Sequence, residues 1–395
     1  MSFTFQDTPD NVYYDVTITN LETLDKNPPI LYFNETRNTP FVFDPESYYL
    51  SIVRFTLDTP TLPVFIPLIQ PNQGDVNLTI YSVTLSWTNP VAPFQTFNQQ
   101  TFIEFIPQAT FTSVPSPPNQ TSDKLQNNQT GYYEILNYQY WLLLINNAFA
   151  TCIAGLNAQV AGAGLALPVY HFPPSMAWDT TQNIAILTTE QTAFDPSLPS
   201  HIEIYMNAPL YQLFSSFPAI IKGVDVVAGK NIQIIANGFG GATIVQFPPS
   251  VEAPAVQYLC FQIVQEYSTI ALWTPITSIV FTSNTLPIVP SNVSTPLLFV
   301  NGAIFNNGGN NSNVSRVVTD FVSDSGVYKP NIVYNPTAQY RLVNLVGNTP
   351  IYNLDLNVYW KSRTGALQPF RLSSGSSATI KILFTRKGTG GSSSS

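Results

Sequence analysis

From Leu354 to Trp360 apolar and polar positions alternate without a break, with Leu354, Leu356, Val358 and Trp360 interleaved with Asp355, Asn357 and Tyr359. A period of two predicts a strand with one face on a core and the other wet. The polar run 361–365, closed by Gly365, reads as a hairpin reversal. A second polar turn at 373–377 leads into another alternating segment, 378–384, so the two strands are expected to form a closing hairpin. Residues 47–57 are β-branched and aromatic throughout and stop at Asp58-Thr59-Pro60, because proline cannot continue a central ladder. Further strands are expected at 13–20, 30–33, 64–69, 76–87, 183–188, 201–206, 231–236, 243–247, 256–266, 276–283 and 341–345. Many short strands separated by Pro- and Asn-rich turns follow the grammar of a sandwich or barrel.

One stretch departs from this grammar. Leu142, Ile145, Phe149, Cys152, Ile153 and Leu156 recur at steps of three and four, a single apolar stripe on a helix that begins near Tyr133. Gly155 and Gly162 read as stop signals, and the helix is expected to lie on a sheet. Pro209 to Phe214 reads as one or two helical turns with proline in the first turn. Residues 89–128 are mostly polar, 301–315 form an Asn/Gly loop, and 388–395 are a Gly/Ser tail with nothing to bury. The divisions that follow are 1–128 for the first part of a sandwich with a long loop, 129–250 for an insertion or second β domain, 251–387 for the closing strands, and 388–395 for the tail.

Composition narrows the reading. Only 10% of the 395 residues are charged, against 13% aromatic and 33 prolines. An ordinary chain is about 25% charged, so Asn, Gln, Ser and Thr must cover this surface. Such a neutral, aromatic-rich surface suits burial against further copies of the chain, because interface cores are poor in charge and rich in aromatics. The net charge of −8 argues against nucleic acid or an anionic membrane surface as partner. Two cysteines, Cys152 and Cys260, sit in apolar contexts and read as buried free thiols of a protein made in a reducing compartment, cytoplasm or nucleus. The start of the chain lacks the pattern of a signal peptide. The longest apolar run is interrupted by Asn146 and Asn147, so no membrane insertion is expected.

The chemistry is sparse, and no catalytic, cofactor-binding or metal residues are assigned. His171 and His201 are the only histidines, and neither has a second ligand at zinc spacing. The stretch 223–230 resembles a phosphate loop, but it has one residue too many between its glycines, and Asn231 stands where Ser or Thr should hold magnesium. The glycines of 237–241 have the wrong spacing for a dinucleotide fingerprint. Carboxylate pairs for glycoside hydrolysis cannot be read from sequence position.

The segments 340–345, 350–360 and 377–387, with the earlier pair 47–57 and 76–87, resemble the strands of jelly-roll penton or minor capsid proteins of small double-stranded DNA viruses, such as virophages and polinton-like or adenovirus-like elements. The likeness implies a mainly β chain, an antiparallel jelly-roll sandwich with an inserted region carrying one helix, with a double jelly roll as the alternative. It also implies a structural protein of the virion and not an enzyme. Such a protein needs no cofactor and partners with itself, as a pentamer in the penton case, and with other capsid proteins. A trimeric major capsid protein is the near alternative, followed by a lectin-like attachment spike and then a polysaccharide hydrolase. The Arg-Gly-Asp triplet of some pentons is absent. Contact segments are expected in the first forty residues, in 89–128 and in 301–315.

Overall fold

The alternating stretch is a strand, Asn353–Ser362, with Leu354, Leu356, Val358 and Trp360 all buried. It belongs to a computed structural model that describes residues 9–22, 28–71, 74–108, 115–118, 126, 131–223, 229–237, 243–246, 257–293, 297–300, 303–306, 313–322, 331–335, 341–363 and 365–388. The second alternating segment is also a strand, Ser377–Arg386, but the two do not form a hairpin with each other. Asn353–Ser362 instead turns back through Gly365, at φ +79°, onto the short strand Leu367–Pro369. The chain then crosses, through the turn holding Gly375 at φ +74°, to the other sheet. The correction has a simple cause: a period of two states which face is buried, not which strand lies alongside.

The chain divides into two compact units, Met1–Leu62 with Phe111–Ser113 and Pro275–Ser395, and Pro63–Thr110 with Val114–Thr274. The first unit is a sandwich of two antiparallel sheets. One runs Asn11–Thr19, Ser377–Arg386, Tyr48–Asp58, Asn331–Tyr334, with Val343–Asn344 also paired to Tyr48–Asp58. The other runs Val317–Phe321, Ile276–Thr282, Asn353–Ser362, Tyr32–Thr36. Leu50, Phe55, Leu57, Phe281, Leu354, Val358, Phe370 and Phe384 fill the space between them. Phe55 is in ring contact with Phe281, Phe321 and Tyr334 at centroid distances of 5.2, 4.8 and 5.3 Å. Two further hairpins, Ser291–Val293 with Asn313–Ser315 and Leu297–Val300 with Ala303–Asn306, occupy much of the expected Asn/Gly loop, whose residues 301–302 and 307–312 lie outside the described ones. The signal was present, since Asn301-Gly302 between two apolar runs is the pair that a two-residue hairpin prefers.

The second unit is also β-rich, with a helix against both of its sheets. The first sheet runs Thr96–Glu104, Leu78–Thr88, Ile202–Met206, Ile232–Ile234, Ala219–Ile221, and the second Thr243–Gln246, Gln257–Val264, Ile184–Glu190, Ser175–Asp179. Leu78–Thr88 had been expected in the same sandwich as 47–57, and residues 64–69 make only isolated bridges. The divisions expected after 128 and 250 likewise differ from those observed, after Leu62 and before Pro275. The chain passes from the first unit to the second between Leu62 and Pro63, just after the strand stop expected at Pro60.

The helix spans Tyr138–Gly162. Asn137 caps it, its side chain accepting from the Tyr140 amide at 2.8 Å. Gly155 does not stop it, whereas Gly162 is its last residue. Gly155 lies where the helix approaches Thr96–Glu104, and a Cβ there would meet the Gln99 side chain at 2.9 Å. The chain turns out instead at Gly164, at φ +73°. The helix has the length and hydropathy of a membrane span, yet Trp141, Leu142, Ile145, Phe149, Cys152, Ile153 and Leu156 are buried in the core of the unit. Asn146, which interrupts the apolar run, docks it. Its Nδ2 donates to the Met176 carbonyl at 2.9 Å and its Oδ1 accepts from the Met176 amide at 2.7 Å.

Candidate functional site

The polar side chains singled out by sequence are used up within the fold. His171 lies against the buried Glu190, with its amide donating to Oε2 at 2.8 Å, Nδ1 2.7 Å from Oε1, and Thr192 Oγ1 donating to the same oxygen at 2.9 Å. His201 holds its own loop, Nδ1 lying 2.8 Å from the Leu198 carbonyl. Among the described residues, no three His, Cys, Asp or Glu side chains gather as a metal site. Burial pushes both thiols up to about 11, so Cys152 and Cys260 are neutral at ordinary pH. Residues 224–228 of the phosphate-loop-like stretch lie outside the described residues, as do 238–241 of the glycine run. Lys230, the lysine of that stretch, donates to Ser86 Oγ at 2.9 Å and Asn98 Oδ1 at 3.2 Å and lies 3.8 Å from Glu203. Gly229 beside it, at φ +81°, sits where a Cβ would come within 2.4 Å of Thr84 Oγ1. Gly229 and Lys230 are thus packed on a polar sheet face.

What the first unit does present, among its described residues, is strand edges and clefts. At one side of the sandwich both sheets end in strands whose outer edges have no partner among the described strands: Val317–Phe321 on one sheet, Asn331–Tyr334 and Val343–Asn344 on the other. Between Val317–Thr319 and Arg341–Asn344 runs a groove of about 290 Å³ with Val289 at its rim. Val289 is 62% exposed and Leu342 41%, while Thr319 is 3% exposed and its hydroxyl has no hydrogen-bond partner. Arg341 is paired with Asp320 at this edge. The loop that delivers Val289 is anchored from below by buried Asp355, which accepts from Ser283 Oγ, from the Asn284 and Thr285 amides at 2.8 and 3.0 Å, and from Thr285 Oγ1 at 2.5 Å. Burial alone would raise the pKa of this carboxylate; the bonds from Ser283, Thr285 and Asn284 outweigh it and hold the group below its ordinary value.

A second cleft, of about 520 Å³, is lined by Ile18, Asn20, Leu21, Ile30, Tyr32 and Leu372. It is built from the first forty residues, one of the segments where sequence placed a contact; residues 23–27 beside it lie outside the described residues. In 89–128, Val91 and Phe94 are exposed, and most of 109–130 lies outside the described residues. The groove at Val289 and Leu342 was missed. Neither residue stands out locally, and the groove exists only because two sheets end side by side there.

Charge is divided unequally between the units. The first holds twelve basic and twelve acidic residues, and the second three basic and eleven acidic, so the whole net charge of −8 belongs to the second.

Comparison with known proteins agrees with this architecture. The model of the family described as Sputnik minor capsid protein V18/19 matches residues 12–386. The uncharacterized protein V18 of Sputnik virophage is 34% identical over 153 residues, covering 38% of this chain and 87% of its own. Structural protein V19 of the same virophage is 28% identical over 216 residues, covering 54% of this chain and 94% of its own. A chain of the Sputnik virophage structure solved by electron cryomicroscopy superposes with a TM-score of 0.78 at 29% identity, over 96% of this chain and 99% of that one. The mavirus penton protein shares the fold, with a TM-score of 0.58 at 14% identity over 96% of this chain and 100% of its own.

Proposed function

Because the chain belongs to the Sputnik minor capsid protein V18/19 family and is therefore a structural component of the virion that assembles with itself and with other capsid proteins, we propose that it is the vertex protein of an icosahedral shell, a penton that closes into a homopentamer. The observation that carries this reading is the near full-length match to a chain of the Sputnik virophage structure, together with the fold shared with the mavirus penton protein. The division of charge supports a corresponding division of labour. Packing several copies of a unit of net charge −8 against one another would set like charges side by side, whereas the electrically balanced sandwich can bury its surface at little Coulombic cost. The sandwich is thus the shell-forming part, and the inserted unit, 63–274 apart from 111–113, stays in contact with solvent. A closed ring buries the same two patches in every copy, so the role requires no reaction chemistry. Synthesis in a reducing host compartment fits the two unbridged thiols.

The test is the native mass of the purified protein by light scattering, followed by negative-stain imaging. A discrete five-membered ring is expected. A trimer of pseudo-hexagonal outline would replace the vertex role with that of a major capsid protein, and a monomer that stays monomeric with its partner capsid proteins would overturn the ring.

A further inference from the structure

In the second unit a lysine, a carboxamide and a carboxylate meet on the outer face of the first sheet. We propose that Lys230 and Asn98 join there in an intramolecular isopeptide bond, with Glu203 carrying the protons. The placement begins with the strand pattern. In Leu78–Thr88 the side chains of Val83, Leu85 and Trp87 enter the core that holds the helix, so Ser82, Thr84 and Ser86 face the other way. Ser86 pairs with Asn98 of Thr96–Glu104 on one side and with Glu203 of Ile202–Met206 on the other. Asn98, Ser86 and Glu203 therefore form one cross-strand row on that face. The face is closed from above: Ser82, Thr84 and Ser86 are each 0% exposed. The chain at Gly229 comes so near that a Cβ there would meet Thr84 Oγ1 at 2.4 Å and the Gln100 amide at 2.7 Å. Lys230 follows, and its Nζ lies 2.9 Å from Ser86 Oγ, 3.2 Å from Asn98 Oδ1 and 3.8 Å from Glu203 Oε2. The buried ring of Tyr205 flanks the same nitrogen, with 4.6 Å from Nζ to the ring centroid.

Contact at this distance, held by paired strands, supplies the proximity that an amide exchange needs. The amine must also offer a lone pair. Burial lowers the pKa of Lys230 below its ordinary value, opposed by the charge of Glu203 and aided by that of Lys222. Glu203 is itself held in place, accepting from Tyr205 Oη at 2.8 Å and from Gln233 Nε2 at 3.3 Å. In the reaction Glu203 takes one proton from the Lys230 ammonium, and the freed lone pair bonds to Asn98 Cγ. The Cγ–Nδ2 bond then breaks, and Nδ2 leaves as ammonia with the proton returned by Glu203. The ammonia takes the surplus proton of the new amide nitrogen, so ammonium departs and Glu203 ends as the carboxylate it began as. No oxidant, cofactor or further reactant is needed. The product ties the edge strand Thr96–Glu104 to the segment entering Ile232–Ile234, across the two strands between them. Such a staple persists in a reducing compartment, where a disulfide does not, and the two cysteines of this chain are unbridged.

The test is the intact mass of the full chain, purified, held at mildly alkaline pH and then denatured for mass spectrometry. The wild type is expected to be lighter than its sequence by one ammonia, and fragmentation of its digest should yield a branched peptide joining positions 98 and 230. Lys230→Arg and Asn98→Ala should each restore the full mass of their own sequence. Glu203→Gln, which keeps the shape of the side chain, should slow the appearance of the cross-link at least about a hundredfold. A cyclic imide at an Asn-Gly pair such as Asn301-Gly302 also loses ammonia, but it gives no branched peptide and persists in Lys230→Arg; that pattern would overturn the proposal. A wild-type mass equal to that of the sequence after prolonged incubation overturns it too, whether or not the variants fold. Cross-linking of Glu203→Gln at the wild-type rate overturns the assigned path of the protons.

Discussion

Replacing Asp355 by asparagine removes one negative charge from beneath the loop that carries Val289 and keeps the shape of the side chain. The carboxylate accepts bonds from Ser283, Asn284 and Thr285, and it is 1% exposed. An amide can keep the bonds to Oδ1, but its NH2 group opposes the Asn284 amide, donor against donor, and the charge assistance is lost. Hydrogen bonds to a charged group contribute roughly 1.5–3 kcal/mol each and are not additive. Because asparagine retains part of the network, and Asn284 can turn to water, the expected loss is about 2–3 kcal/mol. For a unit of this size that is a fall of roughly 5–10 °C in the melting transition of the sandwich. Calorimetry would measure it, with hydrogen-exchange mass spectrometry of the 283–289 peptide to assign the change to this loop. The pH dependence supplies a second check. The folded pKa of Asp355 lies below its ordinary value of 3.8, so its stabilisation is complete above the unfolded value and lost as pH falls through the folded one. The gap between wild type and Asp355→Asn should stay constant from neutral pH to about pH 5 and close in stronger acid. A melting transition within about 1 °C of wild type at neutral pH, with unchanged exchange in 283–289, would refute the reasoning.

Other outcomes follow from single contacts in the second unit. Asn146→Ala strands the amide and carbonyl of Met176, both of which now bond to the side chain; a loss of about 2–3 kcal/mol is expected in denaturant unfolding followed by tryptophan fluorescence, and an unchanged midpoint would mean that apolar contact alone docks the helix. Gly229→Ala combines a φ of +81° with a Cβ 2.4 Å from Thr84 Oγ1, whereas Gly164→Ala has a φ of +73° and open space around it; the first should cost at least about 2 kcal/mol and the second about 1 kcal/mol, and equal melting shifts would contradict the close approach. With both thiols buried and their pKa pushed up to about 11, a thiol reagent at pH 8 should label neither Cys152 nor Cys260 until denaturant is added, and rapid labelling of the native protein would contradict that burial.

The sequence by itself determined the longer strands, the long helix, and which face of each is buried. Leu354, Leu356, Val358 and Trp360 point to the core because a pleated strand turns alternate side chains the same way, and no tertiary knowledge is needed to see it. The stripe from Leu142 to Leu156 gave the helix for the same reason, and the shortage of charge pointed to a protein that meets its own kind. Partnership was decided elsewhere. Asn353–Ser362 and Ser377–Arg386 are near neighbours in sequence and lie in different sheets, and Leu78–Thr88 belongs to another unit than Tyr48–Asp58. Alternation records burial, while the choice of partner is set by long-range closure, whose entropy grows only slowly with the length of chain enclosed. Asn146 and Gly155 show the same limit at single residues, one read as an interruption and the other as a stop, when each is a contact with a strand far away in sequence. The groove at Val289, Thr319 and Leu342 was legible nowhere locally, because an edge is free only by virtue of what the rest of the sheet has already paired.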